Sequence, residues 1–303
     1  MPESCKKTLI VIVGPTAIGK TALAIDIAKQ YNTEILSADS RQFYKEMEIG
    51  TAKPDAEELA AAKHHFINSH SITQLFSTGD FEIEALKIIG SIFENHDLAI
   101  MVGGSGLYIN AVVNGLDEMP EIDLEIRAKL NHQFEVEGLE AIQTQLKQYD
   151  PEYFEKVDQN NPQRMIRGLE VFLSTGQKLS SMLSATKKKR PFNIIKIGLN
   201  TDRAKLYDRI NLRVDKMMEN GLLDEVKSLN DYRKYNALNT VGYSELFDFI
   251  DDKITLEDAV ASIKQNTRRF AKRQLTWFRR DEEINWFEPD EINEVIKLLA
   301  KKL

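Results

Sequence analysis

Short, continuous apolar runs separated by long amphipathic stretches dominate the chain. Thr8-Leu9-Ile10-Val11-Ile12-Val13, Glu34-Ile35-Leu36-Ser37-Ala38, Asp97-Leu98-Ala99-Ile100-Met101-Val102 and Asn193-Ile194-Ile195-Lys196-Ile197-Gly198-Leu199 each have strand length. Runs that are apolar throughout, instead of alternating, predict strands buried on both faces, as in a parallel sheet covered by helices. Between the first two runs, Leu23, Ala24, Ile27 and Ala28 recur at three- and four-residue spacing and predict a helix over 21–30. Each run ends in a polar or glycine-rich segment: Gly14 onward, Asp39-Ser40-Arg41-Gln42, Gly103-Gly104-Ser105-Gly106-Leu107-Tyr108, and Thr201-Asp202-Arg203. Ligands of open α/β sheets bind outside the carboxyl ends of the strands, so chemistry is expected in these loops.

From Leu116 to Arg190 the strand signals vanish. Helical spacing takes over, as in Ile126, Leu130 and Phe134, and again in Met165, Leu169 and Phe172, with Pro120 and Pro191 punctuating the ends. The chain is therefore divided into a catalytic core made of 1–115 and 191–303, interrupted by an inserted helical domain over 116–190. After Gly221 the remainder is helix-rich, with a break near Asn239-Thr240-Val241-Gly242-Tyr243.

The first loop reads Gly14-Pro15-Thr16-Ala17-Ile18-Gly19-Lys20-Thr21, a complete G-x-x-x-x-G-K-[ST] pattern between a strand and a helix. In that context Gly14 and Gly19 let the backbone curl so that successive N–H groups point at phosphate oxygens. Lys20 adds a point charge, and Thr21 would carry Mg²⁺. The fold class expected is α/β, a P-loop NTPase-like core with a parallel sheet and an inserted helical domain. A kinase of this kind usually places a carboxylate on Mg²⁺ at the end of a second apolar run, whereas Leu98–Val102 ends in Gly103.

Composition narrows the class. A chain of 303 residues exceeds the size at which one core stops growing, and 42% hydrophobic with 29% charged residues suits a soluble globular enzyme. A single cysteine, Cys5, excludes an internal disulfide and fits a reducing cytoplasm. No targeting signal or membrane span is read, and a monomer is expected. The His64-His65 pair and His70 make no metal-ligand spacing and are given no role. The net charge of −7 argues mildly against nucleic acid, but its distribution argues the other way. Lys264, Arg268, Arg269, Lys272, Arg273, Arg279 and Arg280 occur in a stretch without Asp or Glu, and Lys187-Lys188-Lys189-Arg190 forms a second cluster. On a helix Arg269, Lys272, Arg273, Thr276 and Arg280 share one stripe, while Phe270, Trp277 and Phe278 fall mainly on the other side and are expected in the core.

Read from spacing alone, Asp39 is a general base, a helix cap or a water-mediated Mg²⁺ ligand, and Ser105 is a phosphate donor or a turn residue. The ordered segments narrow these choices. Gly14–Thr21, Ser37-Ala38-Asp39-Ser40-Arg41-Gln42-Phe43-Tyr44, Gly103–Tyr108, Val241-Gly242-Tyr243-Ser244-Glu245 and Arg268–Phe278 resemble, in the same order, the motifs of tRNA dimethylallyltransferases. The resemblance spans nearly the whole chain and is to the bacterial type, since no Cys/His pair lies near the C-terminus.

It implies transfer of a dimethylallyl group from dimethylallyl diphosphate to the N6 amine of the adenosine next to the anticodon in tRNA, with Mg²⁺ as cofactor. By the same resemblance Asp39 is the base, with Lys20 and Ser105 as its catalytic companions. Gly14, Pro15, Thr16, Ala17, Ile18, Gly19, Lys20 and Thr21 hold the diphosphate. The positions matching family contacts to tRNA are Asp39, Ser40, Arg41, Gln42, Ser105, Arg127, Gln163, Arg164, Met165, Ile166 and Arg167; Arg269 and Arg273 join them from the basic stripe. Two positions depart from the family pattern. Ser105 replaces the usual threonine and keeps the hydroxyl, whereas Ile18 replaces a serine and leaves Thr16 as the more important hydroxyl of the loop. The competing readings are a small-molecule P-loop kinase and an adenylate isopentenyltransferase; the basic segment and helical insert favour RNA over either small acceptor.

Overall fold

The computed structural model describes residues 7–117, 119–183 and 187–303, so Cys5 lies outside the described residues. They form two compact units, one drawn from Met1–Asn114 with Lys189–Leu303 and the other from Gly115–Lys188. The larger unit starts with β1 (Thr8–Val13), α1 (Lys20–Tyr31), β2 (Ile35–Ser37), α2 (Ala56–Ala61), β3 (His64–His65), α3 (Thr78–Asn95), β4 (Leu98–Gly103) and α4 (Gly106–Asn114). The smaller unit contributes α5 (Leu124–Glu137), α6 (Leu139–Tyr149), α7 (Pro151–Lys156), α8 (Pro162–Thr175) and α9 (Leu179–Met182). The chain returns at β5 (Asn193–Leu199) and continues through α10 (Arg203–Glu219), α11 (Leu222–Ser228), α12 (Tyr243–Ile250), α13 (Leu256–Phe278), β6 (Asn285–Phe287) and α14 (Ile292–Lys302).

All strand pairs are parallel, in the order β3-β2-β4-β1-β5-β6. β1 lies between β4 and β5, with Thr8 opposite both Leu98 and Asn193. Its side chains alternate between two cores. Leu9, Val11 and Val13 face one that includes Phe81, Ile89, Val112, Tyr243 and Ile263. Ile10 and Ile12 face another that includes Leu23, Ile27, Ile210 and Leu299. Burial on both faces is why the run carries no polar alternation. The edge strands β3 and β6 have two and three residues, too few to show a period, and the four expected apolar runs form the remaining strands.

The smaller unit has its own core of Leu130, Ile142, Leu146, Met165, Ile166 and Leu169 from α5, α6 and α8. Local signals delimit α8 at both ends. Asn161 accepts the Arg164 N–H as its N-cap and Pro162 occupies the first turn; Gly176, at φ 71°, ends the helix in the left-handed region. Among the described residues no helix is long and apolar enough to cross a membrane.

The two-faced burial of the sheet makes a stability prediction. Ile100→Ala, at a fully buried site in β4, should destabilise the protein by about 2–5 kcal/mol, whereas Ile83→Ala should stay within about 0.5 kcal/mol. Ile83, on α3, is 70% exposed. Urea unfolding of both variants at constant m-value is the measurement; comparable losses would show that β4 is not the core strand.

Candidate active site

The loop after β1 wraps around empty space. Gly14, Ala17 and Gly19 have φ of 147°, 63° and 105°, positive values within six residues that curl the backbone as in anion-binding loops. Gly14 is also required by crowding, since a Cβ there would lie 2.6 Å from the Leu199 carbonyl oxygen. Gly19 is the N-cap of α1 and offers no side chain to its first amides, so the helix start remains open to an anion. Ile18, by contrast, points its side chain wholly into the core, leaving only its backbone for a ligand.

Lys20 donates Nζ–H to the Pro15 carbonyl at 2.7 Å. Its pKa is pushed down to about 7 by burial, with nearby Asp39 opposing the fall and Arg213 adding to it. Burial likewise lowers Arg213 from its ordinary value against the attraction of Asp39. Arg213 donates to the Thr16 hydroxyl at 3.0 Å, while the Thr16 N–H donates to Gln274 Oε1 at 2.9 Å. The cleft has a volume of about 690 Å³, and Lys20, Thr21, Arg209, Arg213 and Lys216 line it with Asp39, Asp55 and Glu58. The Thr21 hydroxyl and the Asp39, Asp55 and Glu58 carboxylates that line the cleft are oxygen donors of the kind Mg²⁺ takes, a hard cation that usually binds few protein ligands and completes its shell with water and phosphate oxygens.

A smaller recess of about 210 Å³ shares Thr16, Asp39 and Arg213 with this cleft. Ile210, Val214, Met217, Leu222, Val241, Ile263 and Phe270 give it an apolar side, and Ser40, Arg41, Thr51, Ser105, Thr240 and Thr267 line the rest with the shared residues. Asp39 accepts the Arg41 N–H at 3.0 Å, which orients the carboxylate, and Ser105 Oγ accepts the Ser40 N–H at 3.0 Å. The Ser105 hydroxyl hydrogen is thereby left for another acceptor. Gly103 permits this contact between the ends of β2 and β4, since a Cβ there would meet the Ala38 carbonyl oxygen at 2.2 Å. Gln42 does not face the recess. Its amide accepts from Ser37 Oγ and donates to the carbonyls of Thr51 and Ala52, making it a brace on the cleft wall.

That brace depends on residues the sequence reading missed. Glu225 accepts the N–H groups of Glu48, Ile49 and Gly50, at 2.6–3.0 Å, and the Tyr243 hydroxyl at 2.6 Å. Burial and the Glu225 carboxylate push Tyr243 well above the ordinary phenol range. Glu245 accepts the Gly242 N–H and an Asn266 amide proton. The Val241–Glu245 motif thus packs the scaffold while its first residues line the recess. Arg209, Arg213 and Lys216 were also missed; their spacing of four and three along α10 was the signal that could have found them.

The long helix α13 corrects two expectations. Phe278 is buried, but Phe270 and Trp277 are each 39% exposed and stand beside Arg269, Lys272 and Arg273, all exposed. They turn outward because the buried line of α13 runs through Ala259, Ile263, Ala271, Gln274 and Phe278. Trp277 covers Gly106, where a Cβ would fall 2.3 Å from the indole. The basic run is also not wholly unpartnered: Lys264 pairs with Asp215 at 2.5 Å and Arg268 donates to Asn211 at 2.6 Å, both on α10. Arg190 of the second cluster is an internal tie to Glu82 and to the carbonyls of Ala111 and Val112.

In the helical unit, Glu170 is buried and accepts from both Arg127 and Arg167 at 3.0 Å, and Arg127 also donates to Gln163 at 2.7 Å. One buried carboxylate therefore sets two guanidinium groups, with Gln163 and Arg164 exposed on the same helix. Met165 and Ile166 must be withdrawn as RNA-contacting side chains. Both are fully buried, because helical spacing turns them from the Gln163–Arg164–Arg167 face into the core.

Similarity to known proteins agrees with this arrangement. Residues 42–281 match the family described as IPP transferase. A tRNA dimethylallyltransferase of Christiangramia forsetii is 56% identical over 283 residues, covering 93% of this chain and 94% of that one. One from Cytophaga hutchinsonii is 49% identical, with 98% of each chain covered. Among solved structures, the full-length tRNA isopentenylpyrophosphate transferase of Bacillus halodurans is 39% identical, with a TM-score of 0.73 over 98% of this chain and 97% of its own. A eukaryotic dimethylallyltransferase acting on tRNA has a TM-score of 0.76 at 27% identity, over 95% of this chain and 75% of its own. With this likeness over nearly its whole length, the chain belongs to the tRNA dimethylallyltransferase family.

Proposed function

We propose that the protein acts as a cytoplasmic monomer that transfers the dimethylallyl group of dimethylallyl diphosphate to the exocyclic N6 amine of adenosine 37, immediately 3′ of the anticodon, in tRNA. The observation that carries this reading is the junction of two spaces, a cleft lined by Lys20, Arg209, Arg213 and Lys216 and a recess with an apolar side, which share Thr16, Asp39 and Arg213.

In the reaction the N6 lone pair forms a bond to C1 of the allyl group as the C1–O bond breaks. The diphosphate leaves with that electron pair, and the amine proton passes to Asp39. Adenine N6 is a poor nucleophile because its lone pair is delocalised, so a carboxylate that accepts the proton as the bond forms lowers the barrier. Lys20, Arg213 and the loop amides stabilise charge growing on the leaving oxygens, and Ser105 can donate its free hydroxyl hydrogen there. Mg²⁺, held by Thr21 and diphosphate oxygens, would add neutralising charge when bound. Arg127, Gln163, Arg164 and Arg167 on the helical unit, and Arg269 and Arg273 on α13, serve as contacts to the RNA backbone.

Incubation with labelled dimethylallyl diphosphate and unmodified tRNA, followed by digestion to nucleosides, should place the label on a modified adenosine. Asp39→Asn should cut the single-turnover rate about 100-fold or more while tRNA affinity stays within a few-fold. Lost binding with an unchanged rate would make Asp39 a positioning residue instead.

The lowered pKa of Lys20 gives a linkage test. Because its folded pKa lies near 7, below the ordinary 10.5, the unfolded chain holds more protons between these values and ligand-free stability rises with pH across that window. An anion in the cradle favours the ammonium form. Diphosphate binding at pH 8 should therefore take up a proton that Lys20→Met does not, with no such difference at pH 6. Calorimetry in buffers of different ionisation enthalpy measures it, and equal proton uptake by the two proteins at pH 8 would refute the assignment.

The exposed stripe of α13 predicts a steep fall of tRNA affinity with salt. Replacing Arg269 and Arg273 together by alanine should flatten the log–log slope by up to about two units and leave dimethylallyl diphosphate affinity unchanged. Wild-type slope with lost diphosphate binding would assign the stripe to the leaving group.

A further inference from the structure

Gln274 lies on the buried side of α13, only 6% exposed, and its amide joins two loops that follow different strands. Oε1 accepts the Thr16 N–H at 2.9 Å, and Nε2 donates to the Gly104 carbonyl at 3.0 Å. The approach is close: a Cβ at Gly104 would fall 2.1 Å from Nε2, so any larger residue there would displace the amide. Both ends of the side chain are thus satisfied by backbone of the catalytic loops, and the residue lines the diphosphate cleft. Thr16 is held from its other side by Arg213, so Gln274 fixes the peptide while Arg213 fixes the hydroxyl.

The same turn of α13 faces outward with Arg273, and Arg269 lies about one turn of 5.4 Å before it. Backbone hydrogen bonds make the two faces of α13 parts of one element.

We propose that Gln274 is a positioning residue that sets the spacing between the phosphate loop and the Gly103–Ser105 loop, and that RNA held on the outer face of α13 tightens diphosphate binding through it. The second clause rests on the functional reading above, since it needs RNA on the basic stripe. Restraining α13 in advance removes ordering that the diphosphate would otherwise have to impose, and by linkage the diphosphate tightens RNA binding by the same factor.

The test titrates inorganic diphosphate calorimetrically into the full chain, alone and with saturating unmodified tRNA. It compares wild type with Gln274→Met, which keeps volume but neither hydrogen bond, and Gly104→Ala, which displaces the amide while leaving it intact. The wild-type ratio of affinities with and without tRNA should be at least about five. In both variants it should fall below about two, with weaker tRNA-free diphosphate binding, while tRNA affinity measured without diphosphate and its salt slope remain within about two-fold. A merely structural role predicts a proportional loss of both ligands with a lowered melting temperature, and that result overturns the proposal. So does a wild-type ratio near one, or a variant that keeps the wild-type ratio. If wild type prenylates tRNA while Gln274→Met keeps the full ratio, only this proposal fails; if wild type binds no tRNA, the functional reading fails and takes this one with it.

Discussion

Two partly buried cations, Lys20 and Arg213, meet at the end of the sheet with Asp39 as the carboxylate both feel. Burying a cation is costly unless opposite charge lies close, and here one carboxylate faces two of them. The surplus is what a diphosphate would neutralise. Much of the surrounding structure serves to hold that unbalanced arrangement in place: the left-handed curl at Gly14, Ala17 and Gly19, the open start of α1, and the hydrogen bonds that Thr16 receives from Arg213 and gives to Gln274.

The fold makes this affordable by mounting the polar parts on an apolar sheet. β1 is buried on both faces, and the loops after β1, β2 and β4 emerge at one edge with little freedom to separate. Glycine at 103 lets the Ala38 and Ser105 loops touch, and Glu225 gathers three backbone amides of the 48–50 segment and the Tyr243 hydroxyl on one carboxylate. Asp39 is consequently positioned by backbone geometry and one amide contact, with its second oxygen available for chemistry.

The helices α10 and α13 each divide their work between faces. α10 gives Ile210 and Val214 to the recess and its cores, and Arg209, Arg213 and Lys216 to the cleft. α13 gives Gln274 inward and Arg269, Lys272 and Arg273 outward, with Phe270 and Trp277 between the charges. Aromatic faces beside arginines on an exposed helix suit unstacked bases better than a core would, which gives the corrected placement of those two residues a chemical sense.

Local signals were enough for the sheet's four longer strands, the glycine-rich turn between β1 and α1, the helical insert and the ordered motifs that mark the family. Continuous apolar runs, glycine spacing and short-range periodicity are properties of neighbouring residues, and these need no knowledge of the fold. Met165 and Ile166 show where that legibility stops, because residues adjacent to functional ones inherit a motif but not its face, and burial turned them inward. Arg213, Gln274 and Glu225 show the other limit: Glu225 reaches Gly50 across 175 residues of chain, and Arg213 and Gln274 reach Thr16 across 197 and 258. Which cation faces Thr16, which amide spans two loops and which carboxylate caps a distant turn were decided only by tertiary packing, since hydrogen bonds between remote segments leave no period in the sequence that forms them.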